Sequence, residues 1–450
     1  MPGAEVDPRP LDRRAFLKTA GLAALGPCLG TLAILDPSRP KADHTLHICR
    51  ARVELAPGCH VSTTTYNGHF PGPLLQSTVG SRLVIDISNG TERLERVRWH
   101  GQNVTEPSLV PPGATRRFEI APEHAGLSFY HSDLTAAAHL DVGLYGGMAG
   151  PLFVASRDEP GRFDREAVLL LKEFEPYLFR TARDCAVGYR LFSVNGRMLG
   201  HGDPIRVRAG EHVLLHVLNA SATETRRVAL AGHSMQVVAL DGSPVPRRTT
   251  VTTLRLAPAE RVSALVAMNN PGVWIFGEVD TDAREHGMGI VFEYAGRAGA
   301  PRWHAPDPQG WDYSQFGNDS IPPEPDMRVE MVLARTDAVR GGFNRWTVNG
   351  REFSLDLPEP VARVPRGSRC RVQLRNTADV ACPLQVPGHR LQLATVDGRP
   401  GSGVFKDVVC VGGRRQLEVD FVPRAHDSAL LQCTRRLHRD FGLMALMDFV

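Results

Sequence analysis

Lysine is nearly missing from this chain: four lysines stand against 48 arginines. We read that bias as GC-rich coding and not as a polyanion-binding surface, because the net charge is only +3. So small a charge gives no electrostatic case for nucleic acid or a membrane surface. Aromatic residues are modest at 7%. Long apolar runs are lacking too. The moderately apolar stretch from Thr19 to Leu35 is interrupted by Gly21, Gly26, Pro27 and Gly30. It falls short of the ~20 residues that a spanning helix needs, so a membrane contact is expected only through an uncleaved leader. No clear A-x-A cleavage site follows it. Pro27 makes Cys28 a poor lipid acceptor, since a small residue is wanted there. Nucleophilic-triad and phosphate-loop signatures are also absent.

What is present begins with an address. Asp12-Arg13-Arg14-Ala15-Phe16-Leu17-Lys18 matches the twin-arginine export signal, which a receptor reads. Residues 1–42 are therefore expected to be signal and leader, and the mature chain to be periplasmic or otherwise extracytoplasmic. That pathway moves folded protein. The remaining length suits roughly three domains of ~150 residues each. With 43 glycines and 34 prolines, an all-β chain with many turns is expected.

Internal similarity organises that length. Tyr66-Asn67-Gly68, Val194-Asn195-Gly196 and Val348-Asn349-Gly350 each open a similar block. A glycine then starts a strand that closes on asparagine: Gly80 to Asn89, Gly210 to Asn219, Gly367 to Asn376. The apolar or alternating residues between them have strand periodicity. Gly232-His233 before Asp241-Gly242 repeats as Gly388-His389 before Asp397-Gly398. These signals predict three consecutive Greek-key β-sandwiches. The expected domains are 43–156, 165–299 and 326–450, with a Pro-rich, aromatic-bearing linker over 300–325.

The chemistry is concentrated near the C-terminus, in Leu431-Gln432-Cys433-Thr434-Arg435-Arg436-Leu437-His438-Arg439-Asp440-Phe441-Gly442-Leu443-Met444. Cys433 and His438, five residues apart, can place a thiolate and an imidazole on one ion, as blue-copper sites do. Together with Asn67-Gly68-His69-Phe70-Pro71-Gly72-Pro73, Trp99-His100-Gly101, Phe129-Tyr130-His131-Ser132 and Gly143-Leu144-Tyr145-Gly146, this run resembles the three-domain multicopper oxidases. The resemblance covers nearly the whole mature chain and implies three cupredoxin-like domains. It further implies a trinuclear copper cluster shared by the first and third domains, a type 1 copper in the third, and a spacer role for the second, where Gly277 stands at the ligand position.

Carried over residue by residue, the ligand pattern departs from the family's. The first His-x-His is Arg98-Trp99-His100, and the second motif is His131-Ser132-Asp133. The third is Cys382-Pro383-Leu384-Gln385-Val386-Pro387, and in the fourth Gln432 and Thr434 replace histidines. Of eight trinuclear histidines, His100 and His131 remain. Proline offers no ligand atom, and Arg98 puts a fixed positive charge where a dication should sit. The resemblance leaves two candidate metal sets. His100, His131 and Asp133 are a residual type 3 region, able to hold one iron, zinc or copper ion or to persist as a hydrogen-bonded network in which Arg98 pairs with Asp133. Cys382, Cys433 and His438 are a residual type 1 region, expected to form a Cys382–Cys433 disulfide or a Cys-Cys-His zinc or copper site. His389 looks like a ligand until His233 is found at the same place in the second repeat, so both are expected to be structural.

Two functions follow from different classes. One is a copper-poor binding or scaffold protein with a protein partner, similar to the copper-free, twin-arginine-exported cell-division proteins of the superfamily. The other is an oxidoreductase that uses a residual mononuclear metal site or an interdomain substrate pocket. No further cofactor is expected.

Overall fold

The computed structural model describes residues 41–102, 104, 108–133, 140, 143–155, 162–180, 185–336, 344–354, 358–423 and 428–450. The export motif, Cys28, His139 and His426 lie outside the described residues. Among the described residues no helix is long and apolar enough to cross a membrane.

The chain is all-β, and its described residues form six sheets built into three cupredoxin-like sandwiches. Each sandwich opens on the same device. Its first strand lies antiparallel to the second and parallel to a later one: His44–Ile48 beside Ile85–Asn89, Arg165–Leu171 beside Val213–Asn219, and Met327–Leu333 beside Cys370–Asn376.

Two asparagines per repeat explain why the sequence folds this way. Asn67, Asn195 and Asn349 sit at φ 57°, 52° and 53°, in the left-handed region that asparagine tolerates and tight hairpin turns require. Their side chains also close the first strand. Each Oδ1 accepts a backbone N–H, from His47, Leu170 and Val332 at 2.6, 2.8 and 2.7 Å. Each Nδ2 donates to the carbonyl of Thr45, Val168 or Glu330. The strand-closing Asn89, Asn219 and Asn376 are buried, and their Nδ2 groups donate to the backbone carbonyls of Val110, Leu256 and Gly412. The turn asparagine is a conformational choice and both are hydrogen-bonding choices that an apolar residue could not replace.

In the first sandwich Leu46, Ile48, Ile85 and Ile87 of one sheet pack on Val97, Tyr130, Leu152 and Val154 of the other. Each such side chain contributes on the order of 1.5–3 kcal/mol when fully buried. The sandwiches themselves abut closely. A Cβ on Gly126 would lie 2.5 Å from Gly242 Cα, so this contact between the first and second sandwiches requires two glycines.

Buried charges lock the three sandwiches together. Lys406 Nζ lies 2.9 Å from Asp241 Oδ2 and 3.0 Å from Glu260 Oε1. Arg261 donates to the Leu127 carbonyl at 2.9 Å and pairs with Asp407. The stretch 300–325 is packed as well, with Tyr313 and Phe316 buried and the Tyr313 hydroxyl 2.5 Å from Glu260 Oε1.

Candidate functional site

The strand Glu95–His100 pairs antiparallel with Gly126–Ser132, setting Arg98 opposite His131 and His100 opposite Phe129. Alternation along both strands therefore puts these four side chains on one face. The Phe129 ring stacks against each imidazole with centroids 4.8 Å apart, and the two imidazoles are 5.8 Å apart. Burial first, then Arg261, His131 and Arg98, holds His100 well below its ordinary range. Burial and then Arg436 push His131 down to about 3. Both rings are neutral at physiological pH. His131 Nδ1 lies 2.9 Å from the Ser132 carbonyl and 3.2 Å from Arg436 Nη2. His100 Nε2 has no hydrogen-bond partner.

Asp133 is adjacent but turned to other partners. Arg98 Nε donates to its Oδ2 at 2.6 Å. Arg439 Nη1 donates to Oδ1 at 2.7 Å, and Arg436 Nη1 donates to the same oxygen. Burial would raise this carboxyl, but Arg98, Arg436 and Arg439 outweigh it and hold it well below the usual carboxylate range. Of the arrangements open from sequence, Arg98 takes the pairing with Asp133.

Arg436 and Arg439 come from the one-turn helix Arg436–Asp440 of the third sandwich and are buried. Their i, i+3 spacing directs both to one side. That spacing is readable in the sequence, in the run that also carries Cys433 and His438. These two residues are the part of the site that sequence reasoning missed.

On the facing sheet, Cys382–Gln385 pairs antiparallel with Ser428–Cys433, so Leu384 lies opposite Cys433 and Gln385 opposite Gln432. The two glutamines at expected histidine positions are thus direct cross-strand neighbours. The same register makes Cys382 and Cys433 diagonal neighbours on one face. Diagonal pairs have Cα atoms ~7–8 Å apart, against an upper limit of ~6.8 Å for a disulfide. Both thiols are free, which corrects the expected disulfide.

Burial raises Cys382 well above its usual value and pushes Cys433 up to about 12 and Cys410 to about 11. The His438 ring lies 4.2 Å from Trp346, and its Nδ1 is buried without a partner. Burial, then Arg435 and Arg335, lowers it well below the ordinary range. Among the described residues no three His, Cys, Asp or Glu side chains gather as a group that could hold a metal ion. His389 Nδ1 lies 3.2 Å from the Pro387 carbonyl, and His233 bridges the Ala231 carbonyl and the Tyr294 hydroxyl.

Three sandwiches of this topology define a cupredoxin-type assembly. Solved structures share it. Laccase from Botrytis aclada superposes with TM-score 0.73 at 17% identity, covering 90% of this chain and 87% of its own. The multicopper oxidase of Pseudomonas thermotolerans does so with TM-score 0.70 at 22% identity, covering 91% and 100%. Multicopper oxidase family profiles match residues 48–159 and 187–289. The multicopper oxidase MmcO of Mycobacterium tuberculosis is 26% identical over all of this chain and 98% of its own length. The chain belongs to the multicopper oxidase superfamily.

Proposed function

We propose that this is a copper-free binding or scaffold member of the superfamily, exported by the twin-arginine route, in which an ion-pair lattice closes the seam that copper would otherwise occupy. The observation that carries the proposal is Asp133, bound by Arg98, Arg436 and Arg439 together. The residues present do not fit a copper cluster. Two unit charges 4 Å apart interact by about 4 kcal/mol at an effective dielectric of ~20, so a dication beside one guanidinium meets roughly 8 kcal/mol of repulsion. Three arginines reach this point against two carboxylates: Asp133, shared among all three, and Asp440, which pairs with Arg439. In the second candidate region the guanidiniums of Arg435 and Arg335, near enough to depress His438, would repel a dication in the same way.

One observation favours the rival, an oxidoreductase with a single residual metal: His100 keeps a buried, unpartnered Nε2 within 5.8 Å (between ring centroids) of His131. A complementation test separates the two. A strain lacking the gene should be restored by the His100→Ala/His131→Ala variant once folded, exported amounts are matched. Loss of the role together with loss of a bound metal would establish the rival.

A further inference from the structure

Beside this lattice, between the first and third sandwiches, lies a cavity of about 40 Å³. Arg98, His100 and Gln102 line it from one side, and Gln385, Arg390 and Asp407 from the other. Two guanidiniums that cannot lose a proton, Arg98 and Arg390, reach this space; Arg98 is at the same time bound to Asp133, and the lining carboxylate, Asp407, is paired with Arg261. Arg261 is itself buried and lies close enough to His100 to depress it. Two further lining groups are buried polar atoms without a partner, His100 Nε2 and Gln102 Oε1. A buried orphan of this kind is costly unless something in the cavity meets it.

We infer that this cavity is a binding site for a small inorganic anion, held between Arg98 and Arg390 with neutral His100 donating from Nε2. The inference rests on the copper-free reading, because a dication would invert the charge of the same space. An anion satisfies the His100 donor and adds to the charge-assisted donors at the seam. A water bridging to Gln102 Oε1 completes the shell. The site thereby couples anion binding to the docking of the first sandwich on the third, since each contributes one arginine.

The probe is bromide, applied to the full mature chain. Thermal midpoints in sodium bromide and in sodium gluconate at equal ionic strength should diverge, with a saturable rise in bromide only. Anomalous scattering from bromide-soaked crystals should place a peak in the cavity. Arg390→Gln should weaken the apparent affinity about ten-fold or more, the effect of losing one charge-assisted contact. If that variant does not fold, the wild-type peak and melting curves still decide. Equal melting in both salts, ordered water alone in the cavity, or a peak without a saturable response (an adventitious ion only) would overturn the anion site and leave the copper-free proposal standing. Copper taken up in the same cavity would overturn both.

Discussion

Arg439 Nη1 stands 2.7 Å from Asp133 Oδ1, joining the third sandwich to the first across 306 residues of sequence. Both groups are buried, and Arg98 and Arg436 share the carboxylate. A charge so placed is tolerable only while its partners remain.

Asp133→Asn should therefore destabilise the protein by ~3–5 kcal/mol, the usual cost of removing one partner from a buried ion cluster. Urea denaturation of the two proteins measures it. Replacing Asp133, Arg436, Arg439 and Arg439's second partner Asp440 together by apolar residues of similar volume should recover much of the loss, because the remaining Arg98 is partly solvent-exposed. A cost below about 1 kcal/mol, the range of an exposed pair, would mean that the lattice is incidental.

Lys172 gives a pH signature. It is fully buried, donates to the Leu144 carbonyl at 2.6 Å, and burial lowers it from 10.5 to about 8. The folded value lies below the unfolded one, so between pH 8 and 10.5 the unfolded chain binds more protons and stability rises with pH. Below that window the full penalty of a buried charge is present. The shift corresponds to roughly 3 kcal/mol. Subtracting the stability–pH curve of Lys172→Met from that of the wild type should isolate this rise; a flat difference would contradict the assignment.

Thiol chemistry should sort by burial. Cys59 and Cys185 are partly exposed, whereas Cys370, Cys382, Cys410 and Cys433 are buried, with burial raising all four thiols. Because the thiolate is the nucleophile, iodoacetamide at pH 8 should label the first two in the native protein. The other four should react only after denaturation. A mass shift showing a Cys382–Cys433 disulfide would restore the pairing that the strand register argues against.

Much of this was legible in the sequence, for local reasons. Asn67, Asn195 and Asn349 announce the repeats because a left-handed turn restricts residue choice at each position. Arg98, His131 and Asp133 could be placed near one another through the family resemblance, because they occupy its ligand motifs. The partners of Asp133 from the third sandwich could not be read. Arg436 and Arg439 look like surface charge until tertiary contact buries them, and their spacing names no target 300 residues away. The same holds for Lys406 with Asp241 and Glu260. Scarcity was the unused signal: of four lysines, Lys172 and Lys406 are fully buried. The register that separates Cys382 from Cys433 by a diagonal step is likewise a property of strand pairing and not of either motif.

Restoring histidines should not restore copper by itself. In the Gln385→His/Gln432→His variant the two imidazoles would face one another across the strands, yet Arg98 would still line the cavity beside position 385 and Arg436 and Arg439 would still hold Asp133. Copper content after loading and dialysis should stay at the wild-type level. One full equivalent bound with all three arginines in place would show that their charge is not the barrier.

The central claim is that the seam between the first and third sandwiches holds an arginine–aspartate lattice and no oxygen-reducing copper cluster. Copper loading of the purified, exported chain, followed by elemental analysis and an oxygen electrode with a phenolic substrate, tests it most directly. The account predicts less than about one copper per chain and no oxygen uptake above the buffer rate, as expected where the ligand set is incomplete. Three or four coppers per chain with substrate-dependent oxygen consumption would contradict it.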